Sequence, residues 1–397
     1  MVEHLRQQYN AAFTNDKYRV FLEGIHSAYN HKPSFRIAET PIFIPKYLKQ
    51  RLLEACDEVN AVICKPDFKE LTKNALQDVS RLVPGEDEHT TFLQMDFGIC
   101  LDEKGKLIPQ MVEVQGFPTL YFFQELMAKG YRDHFDIPTN YHHLNGISSV
   151  EYVEKLREII VGDCSPENVI LLEIEPHKQT TQIDFLGTAH HLGIKVVCIS
   201  ELITEGKNVF YTDQKGLKIQ VRRIYNRVIF DELFKRDDLQ RQFDFTKEYN
   251  VEWIGHPNWF FRISKFTMPL INSTYVPPCH FLHQLEKYPE DLENYVLKPL
   301  FSFAGSGVLI NVTKQDLDAV QDRENYILQK KVAYAPVINT PTGPAKCEIR
   351  MLMIWEKGEK KARVVNNLVR ISKGEMVGVR YNKDKDWVGA SVGFFED

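Results

Sequence analysis

The sequence predicts a mixed α/β (α+β) fold, built from a helical amino-terminal region, an antiparallel hairpin and a parallel βαβ unit. Three observations predict it. Apolar residues recur at helical spacing over residues 47–61 and 68–82. Residues 92–101 and 107–114 are apolar runs joined by a polar turn, which is typical of a hairpin. Residues 168–203 contain an apolar strand, a helix ended by glycine and a second apolar strand.

Composition and charge limit the class of function. The 397 residues carry a formal net charge of -5, and this mild acidity argues against a large nucleic-acid-binding surface. The seven cysteines are dispersed without a CxxC pair, as expected for buried thiols in a reducing compartment. No apolar run approaches the roughly 18 residues of a membrane span. We therefore expect a soluble cytoplasmic protein with no nucleic-acid or membrane partner.

Two acidic residues interrupt the apolar strands of the predicted hairpin. Asp96 lies in the first strand and Glu113 in the second, and Gln115 shares a face with Glu113 because side chains alternate along a strand. Burying an unpaired carboxylate costs roughly several kcal/mol. A pair converging from adjacent strands is therefore a candidate Mg²⁺ site, since Mg²⁺ takes one or two carboxylates beside phosphate and water. Alternatively, Asp96 ends its strand and Glu113 pairs with a lysine or an arginine.

Residues 128–167 are expected to connect the hairpin to the βαβ unit. One helix is predicted there, beginning after Ser148, where Glu151 completes a capping box. The βαβ unit lacks the glycine fingerprint of a dinucleotide site. Glu175 and His177 follow its first strand, where open α/β sheets bind ligands, and they are candidate substrate contacts.

A later segment combines a lysine with a loop of small residues. Residues 295–297 and 308–310 are predicted strands, Lys298 ends the first of them, and residues 302–307 form the loop. The backbone N–H groups of such a loop can approach an anion closely, so the segment is a candidate phosphate cradle. An ordinary hairpin with a flexible tip fits the same residues, and the spacing of a P-loop is absent.

Further strands carry charged side chains. Three arginines within residues 222–227 could bind a carboxylate or a phosphate, or lie on a solvated sheet edge. Strands are also predicted over residues 326–332 and 347–355. Glu348 and Arg350 share one face of the second of these.

These segments, in this order, resemble the ATP-grasp enzymes. Because the carboxylate strands precede the lysine segment, the order resembles the circularly permuted ATP-grasp family that includes the synthetase domain of glutathionylspermidine synthetase. The matching segments are 94–97, 111–115 followed by Pro118-Thr119, 169–199, 263–265, 295–299 and 326–329. The resemblance implies an ATP-grasp fold in circularly permuted order, with a Rossmann-like pre-ATP-grasp βαβ domain.

The resemblance also implies a division of the chain. We expect residues 1–150 to form a helical layer and the metal-binding strands of the core. Residues 151–260 would form the Rossmann-like domain, and 261–345 the lid subdomain with the phosphate loop and the adenine hinge. Residues 346–397 would complete the core.

ATP and Mg²⁺ are the cofactors that the resemblance implies. Lys265 and Lys298 match the two lysines that hold the ATP phosphates. The residues that match the tip of the phosphate lid and the adenine hinge are Gly305, Ser306, Gly307, Gln329, Lys330 and Val332.

The resemblance implies a metal site as well. Asp96, Glu113 and Gln115 match its ligands, and Arg350 is placed to steady the transferred phosphoryl group or an acyl phosphate. Two residues depart from the family pattern. Gln94 stands where the family has an arginine, and Gln115 stands where it has an asparagine, whose side chain is shorter.

The activity implied is that of an ATP-dependent carboxylate–amine (peptide-type) ligase, acting on a small-molecule carboxylate and an amine through an acyl phosphate. Phosphoryl transfer depends mostly on positioning and charge neutralisation, so lysines, an arginine and Mg²⁺ suit it. Two other functions fit the same residues. One is a Mg-nucleotide-binding protein without ligase turnover, which Gln94 and Gln115 favour, and the other is an ATP-dependent small-molecule kinase on the same fold.

Overall fold

The computed structural model describes residues 1–78, 82–302, 305–375, 377–378, 382 and 384–397. Its helices are α1 (Glu3–Ala12), α2 (Asn15–Ala28), α3 (Lys46–Ile63), α4 (Phe68–Leu71), α5 (Tyr121–His134), α6 (Ser149–Ile160), α7 (Gln182–Leu192), α8 (Phe230–Leu233), α9 (Trp259–Arg262) and α10 (Lys314–Ala319). Its strands are β1 (Ile42–Ile44), β2 (Phe92–Leu101), β3 (Leu107–Gln115), β4 (Tyr141–His142), β5 (Val169–Glu173), β6 (Lys195–Cys198), β7 (Ile203–Glu205), β8 (Asn208–Thr212), β9 (Lys218–Val221), β10 (Arg223–Asn226), β11 (Glu252–Ile254), β12 (Cys279–Phe281), β13 (Tyr295–Pro299), β14 (Tyr326–Lys330), β15 (Ile338–Thr340), β16 (Gly343–Ile354), β17 (Arg363–Ser372), β18 (Gly389–Ser391) and β19 (Gly393–Glu396).

The largest sheet in the described part of the chain has six strands. β18, β17, β16, β2 and β3 lie side by side in that order, each antiparallel to the next, and β15 pairs with β16. The predicted hairpin is confirmed as β2 and β3. Met95, Phe97 and Met351 are fully buried on one face of this sheet, so alternation turns Asp96 and Arg350 to the other face.

A second sheet is parallel, in the order β11, β10, β5, β6. The predicted βαβ unit is confirmed as β5, α7 and β6, and Gly193 ends α7 with a φ of 72°. All five residues of β5 are buried, as expected for a strand inside a parallel sheet. The capping box of Ser148 and Glu151 at the start of α6 is also confirmed.

A third sheet, in the order β12, β14, β13, contains the predicted lysine strand. The second predicted strand of that segment is wrong, because residues 308–310 form a single bridge between Leu297 and Leu309. Gly305 and Gly307 have φ of 73° and 70° and turn the chain just before this segment, and α10 begins just after it. Phe303 and Ala304 of the predicted loop lie outside the described residues.

Helix α5 was not predicted, and it begins before the predicted connecting region of residues 128–167 and extends into it. Its amino-terminal N–H groups are capped by Asp184, a residue of α7. The Asp184 carboxylate accepts hydrogen bonds of 2.9 Å from the backbone N–H groups of Leu120, Phe122 and Phe123. This cap comes from more than 60 residues away in the sequence, so no local signal marks the start of α5.

Within the described part of residues 68–82, the predicted helix is shorter than expected, and residues 79–81 of that range lie outside the described residues. It breaks into α4 and a 3-10 turn over Lys73–Leu76. Arg262 donates to the carbonyl oxygen of Lys69 at 2.8 Å and to the hydroxyl of Thr72 at 3.1 Å. The Lys69 carbonyl is the acceptor that the N–H group of Lys73 would use in a continuous helix.

One cluster of buried apolar residues joins several layers. It includes Leu48 of α3, Met95 of β2, Ile170 of β5 and Phe281 of β12. Two small sheets, β1-β19-β4 and β7-β8-β9, complete the architecture. No helix within the described ranges has the length and apolarity needed to cross a membrane.

Candidate functional site

Strand register brings polar side chains together on one face of the six-stranded sheet. Asp96 on β2 lies opposite Glu113 on β3 and opposite Arg350 on β16. Glu348, two residues before Arg350, lies opposite Arg370 on β17. Since residues two apart on a strand share a face, acids and arginines from four adjacent strands meet there.

Asp96 is fully buried and is held by arginines. Arg350 donates to it through Nε and Nη2, both at 2.8 Å, which is the bidentate geometry that suits a carboxylate. Arg370 donates to Oδ2 at 3.1 Å, and Gln94 donates to Oδ1 at 3.3 Å. Burial raises the pKa of Asp96 to about 7, with Glu348 adding to the rise and the two guanidinium groups opposing it.

Glu348 is likewise paired. Arg370 donates to its Oε1, and the hydroxyl of Tyr334 donates to its Oε2 at 2.8 Å. Tyr334 reaches this position because Gly98 carries no side chain. A Cβ atom at Gly98 would lie 2.6 Å from both the Tyr334 ring and the Val332 side chain.

Glu113 has a different environment. Its Oε1 accepts from Gln115 Nε2 at 3.0 Å, and Gln115 in turn accepts from Gln94 at 3.0 Å. Burial by itself would raise the pKa of Glu113, yet the surrounding cations, Lys265 first among them and then Arg370, lower it. The Glu113 carboxylate is therefore ionised at neutral pH.

Two buried lysines lie across from this face. Lys298 is the next-to-last residue of β13, and its ammonium donates to Gln329 Oε1 at 2.7 Å and to the carbonyl of Val112 at 3.1 Å. Gln329 on β14 donates to the carbonyl of Met111 at 3.3 Å. These contacts fix the three-stranded sheet against β3, the edge of the six-stranded sheet.

Lys265 begins a 3-10 helix over Lys265–Leu270, and its ammonium donates to the carbonyl of Ser302 at 2.7 Å. Burial lowers the pKa of Lys265 and of Lys298, and the nearby Glu113 partly offsets this. Both lysines are thus desolvated cations beside an anionic group.

A cleft of about 320 Å³ lies between the two sheets. Its basic side chains are Lys265, Lys298, Lys330, Lys331, Lys346 and Arg370, and its acidic ones are Glu113, Glu348 and Glu375. The excess of positive charge contrasts with the net charge of -5 of the whole chain, so the cleft attracts anions. The valine, isoleucine and tyrosine side chains that line it are Val112, Val296, Val308, Ile310, Val332, Tyr334 and Val377.

The structure brings most of the predicted site residues to this cleft. Those that line it are Lys265, Lys298, Gly305, Gln329, Lys330, Val332 and Glu113. Ser306 and Gly307 are exposed in the adjoining turn. Gln115 lines a small neighbouring pocket together with Lys265. Asp96 and Arg350 do not line the cleft, and they pair with each other on the sheet beneath it.

Arg370 and Tyr334 were not predicted as site residues, and Glu348 was placed on a face with Arg350 but given no role. Alternation on β16 already places Glu348 beside Arg350, which is a signal that could have been used. The register that places Arg370 opposite Glu348 depends on the pairing of β16 with β17, and no short turn fixes that pairing from the sequence.

Comparison with known proteins adds evidence on the fold. No family model matches the sequence, and neither does any curated protein. The glutathione synthetase like-effector GSS30 from Globodera pallida, in its apo form, aligns with a TM-score of 0.54 at 12% identity, over 96% of this chain and 97% of that chain. A putative gamma-glutamylcysteine synthetase from Methylobacillus flagellatus aligns over 86% of this chain and 87% of that chain at 13% identity. Its TM-score of 0.37 is too low for an argument.

The fold is similar to a glutathione-synthetase-like fold. The expected mixed α/β architecture with several sheets is confirmed in that coarser form. At 12% identity the likeness concerns the fold alone.

Proposed function

We propose that this chain is an ATP-dependent carboxylate–amine (peptide-type) ligase with an ATP-grasp arrangement in circularly permuted order. The observation that carries the proposal is the cleft between two antiparallel sheets, with buried Lys265 and Lys298 on one side and Glu113 on the other. The four segments 1–150, 151–260, 261–345 and 346–397 remain the proposed division of the chain.

The cleft suits a nucleotide in size and in lining. Apolar Val296, Val308 and Ile310 offer a surface for a base, and the lysines offer charge for phosphates. An ammonium has three N–H donors. Among the described residues Lys298 uses two of them and Lys265 uses one, so both retain donors for a ligand.

The proposed chemistry has two steps. A substrate carboxylate oxygen attacks the terminal phosphorus of ATP and ADP leaves, which gives an acyl phosphate. An amine nitrogen then attacks the acyl carbon, phosphate leaves, and the nitrogen gives up a proton as the amide forms. Lys265 and Lys298 would neutralise the charge that develops on the phosphate oxygens.

Arg350 and Arg370 have different roles in this proposal. Arg350 donates to Asp96 through Nε and Nη2 and does not line the cleft, so it would act by positioning that carboxylate. Arg370 lines the cleft with a side chain 35% exposed, so it is the arginine placed to contact the transferred phosphoryl group.

Magnesium fits the arrangement poorly. The Asp96 oxygens are occupied by arginines, and within the described ranges no group of three His, Cys, Asp or Glu side chains could hold a metal ion. Glu113 is the predicted ligand with an oxygen still open, and Gln115 donates to its other oxygen. We therefore assign no step of the reaction to a metal.

A second candidate, nucleotide binding without ligase turnover, is favoured by one observation. Gln94 donates to Asp96 and to Gln115, so an amide occupies the place where the resembling family has a cation.

The decisive experiment is an ADP-release assay with pairs of amino acids, short acidic peptides and primary amines, with amide products measured by mass spectrometry. Coupled release of ADP and amide is expected for a ligase. Nucleotide binding without ADP release for any pair supports the second candidate, and a stable phosphorylated product indicates a kinase. Failure to bind ATP contradicts all three.

A further inference from the structure

The acidic residues of the site are already neutralised by the chain itself. Three carboxylates, Asp96, Glu113 and Glu348, provide six oxygens. Five of these oxygens accept hydrogen bonds from protein donors, and Glu113 Oε2 is the one without a donor among the described residues. A cation entering the site would have to displace guanidinium or amide groups.

Displacement of the arginines from Asp96 by a metal ion is unfavourable because of their geometry. Asp96 has no exposed surface, and Arg350, whose side chain is 12% exposed, meets it in a bidentate pair. Magnesium requires near-ideal octahedral geometry at about 2.0–2.1 Å from its ligands. The lone pairs that would point at it are turned towards arginine N–H groups instead.

The balance of charges also makes binding of a cation to these carboxylates unfavourable. The three carboxylates meet four cationic side chains, namely Arg350, Arg370, Lys265 and Lys298. In a metal-dependent site, the metal offsets the repulsion between carboxylates and phosphates. Here the fixed cations already outnumber the carboxylates before any metal binds.

We infer that this chain binds the phosphates of its nucleotide without needing a divalent cation, with the Arg370 guanidinium and the ammonium groups of Lys265 and Lys298 in the role that a metal would otherwise fill. Arg370 is central because it bridges Glu348 and Asp96 Oδ2 and also lines the cleft. The inference rests on the proposed function, since it concerns the same nucleotide site.

The test is isothermal titration calorimetry of ATP with the full chain, once with saturating MgCl₂ and once with EDTA. We expect Kd values that agree within about threefold. Binding that is more than about tenfold tighter with Mg²⁺ overturns this inference and leaves the proposed function standing. No ATP binding in either buffer overturns both.

Substitution of Arg370 tests whether its guanidinium group takes the place of a metal. Arg370→Gln removes the donor to Glu348 Oε1 and to Asp96 Oδ2, so we expect it to weaken ATP binding in EDTA and to regain at least about tenfold with Mg²⁺. Lys346→Gln is the matched control, because it removes a charge from the cleft and frees no carboxylate. It should weaken binding equally in both buffers.

Circular dichroism checks that the variants fold. If Arg370→Gln does not fold, Arg370→Lys, which keeps the positive charge, replaces it in the titrations.

Equilibrium dialysis with Mn²⁺ supplies a readout that is independent of ATP. We expect no retained Mn²⁺ for the unmodified chain and retained Mn²⁺ for Arg370→Gln. Stoichiometric Mn²⁺ on the unmodified chain overturns the inference.

Discussion

At the residue scale, Lys298 connects the two sheets and lines the cleft at the same time. Lys298→Met removes a buried cation that a phosphate would contact, so we expect ATP affinity to fall by about 10–100-fold, the equivalent of one charge-assisted hydrogen bond. Calorimetry measures this directly. Lys331→Met, on the same cleft, is the control for loss of charge alone and should cost less.

The comparison holds only if both variants are folded, which urea denaturation checks. Equal losses for the two lysines would mean that the cleft acts through its net charge, and the specific role of Lys298 would be wrong.

Glu173 gives a pH-dependent prediction. It ends β5 with 2% exposure, and burial raises its pKa from 4.5 to about 8. A raised carboxyl pKa means that the folded state holds a proton which the unfolded state releases. The stabilising contribution of Glu173 is therefore fully present below pH 4.5 and is lost as the pH rises towards about 8, by about 1.4 kcal/mol per pH unit.

Glu173→Gln should remove this dependence and raise the free energy of unfolding near pH 8, since the amide oxygen can still accept from the Ile174 N–H. Urea denaturation at several pH values measures it. The exposed Glu154→Gln serves as the control, and the same slope in Glu173→Gln and the parent chain would contradict the prediction.

Single residues could be predicted where they belong to a short sequence motif. Lys298 was proposed from the segment that contains it, Lys265 and Gln329 were proposed from the family resemblance, and all three line the cleft. The pairing of Asp96 with Arg350 was not predicted, because these residues are 254 positions apart and only sheet register joins them. A carboxylate in an apolar strand indicates a partner without identifying whether that partner is a metal or an arginine.

At the scale of elements, α5 depends on a cap borrowed from α7. Asp184→Ala removes the acceptor of three backbone N–H groups, so we expect the free energy of unfolding to fall by about 2 kcal/mol, the upper end for a helix cap. Urea denaturation is the measurement. Asp133→Ala, an exposed carboxylate of α5 paired with Lys129, should have little effect.

Elements with local signals were predicted well. The β2–β3 hairpin, the βαβ unit and the capping box of α6 all follow from periodicity, turns and caps within a few residues. The elements that differ depend on distant contacts. Asp184 caps the start of α5, and Arg262 donates to a carbonyl of α4, and neither contact can be read from the neighbouring sequence.

At the scale of the whole molecule, charge is distributed unevenly. The chain is acidic overall, with a net charge of -5, while basic side chains outnumber acidic ones in the cleft. Binding of an anion should therefore weaken as salt screens the cleft, over a Debye length of about 10 Å at 0.1 M salt.

Titration with inorganic tripolyphosphate over a series of KCl concentrations measures this effect, and adenosine serves as the uncharged control. Affinity for tripolyphosphate should fall steadily with salt while affinity for adenosine stays constant. An unchanged tripolyphosphate affinity would mean that the lysines do not face the ligand.

The general architecture could be predicted from the sequence, and the strand order of the six-stranded sheet could not. The βαβ unit and the hairpin indicated a mixed α/β fold, yet the sequence does not show that β16 inserts between β2 and β17. Such pairings depend on which apolar faces pack together across the whole chain.

The distance of 254 positions between Asp96 and Arg350 has a consequence for synthesis. While the chain leaves the ribosome, the residues of β2 and β3 are synthesised long before those of β16 and β17, which supply the arginines. During that interval the Asp96 carboxylate has no cation to meet, and it stays hydrated or protonated on an open sheet edge. The central sheet therefore closes late, and molecular chaperones would meet this protein with its acidic face still exposed.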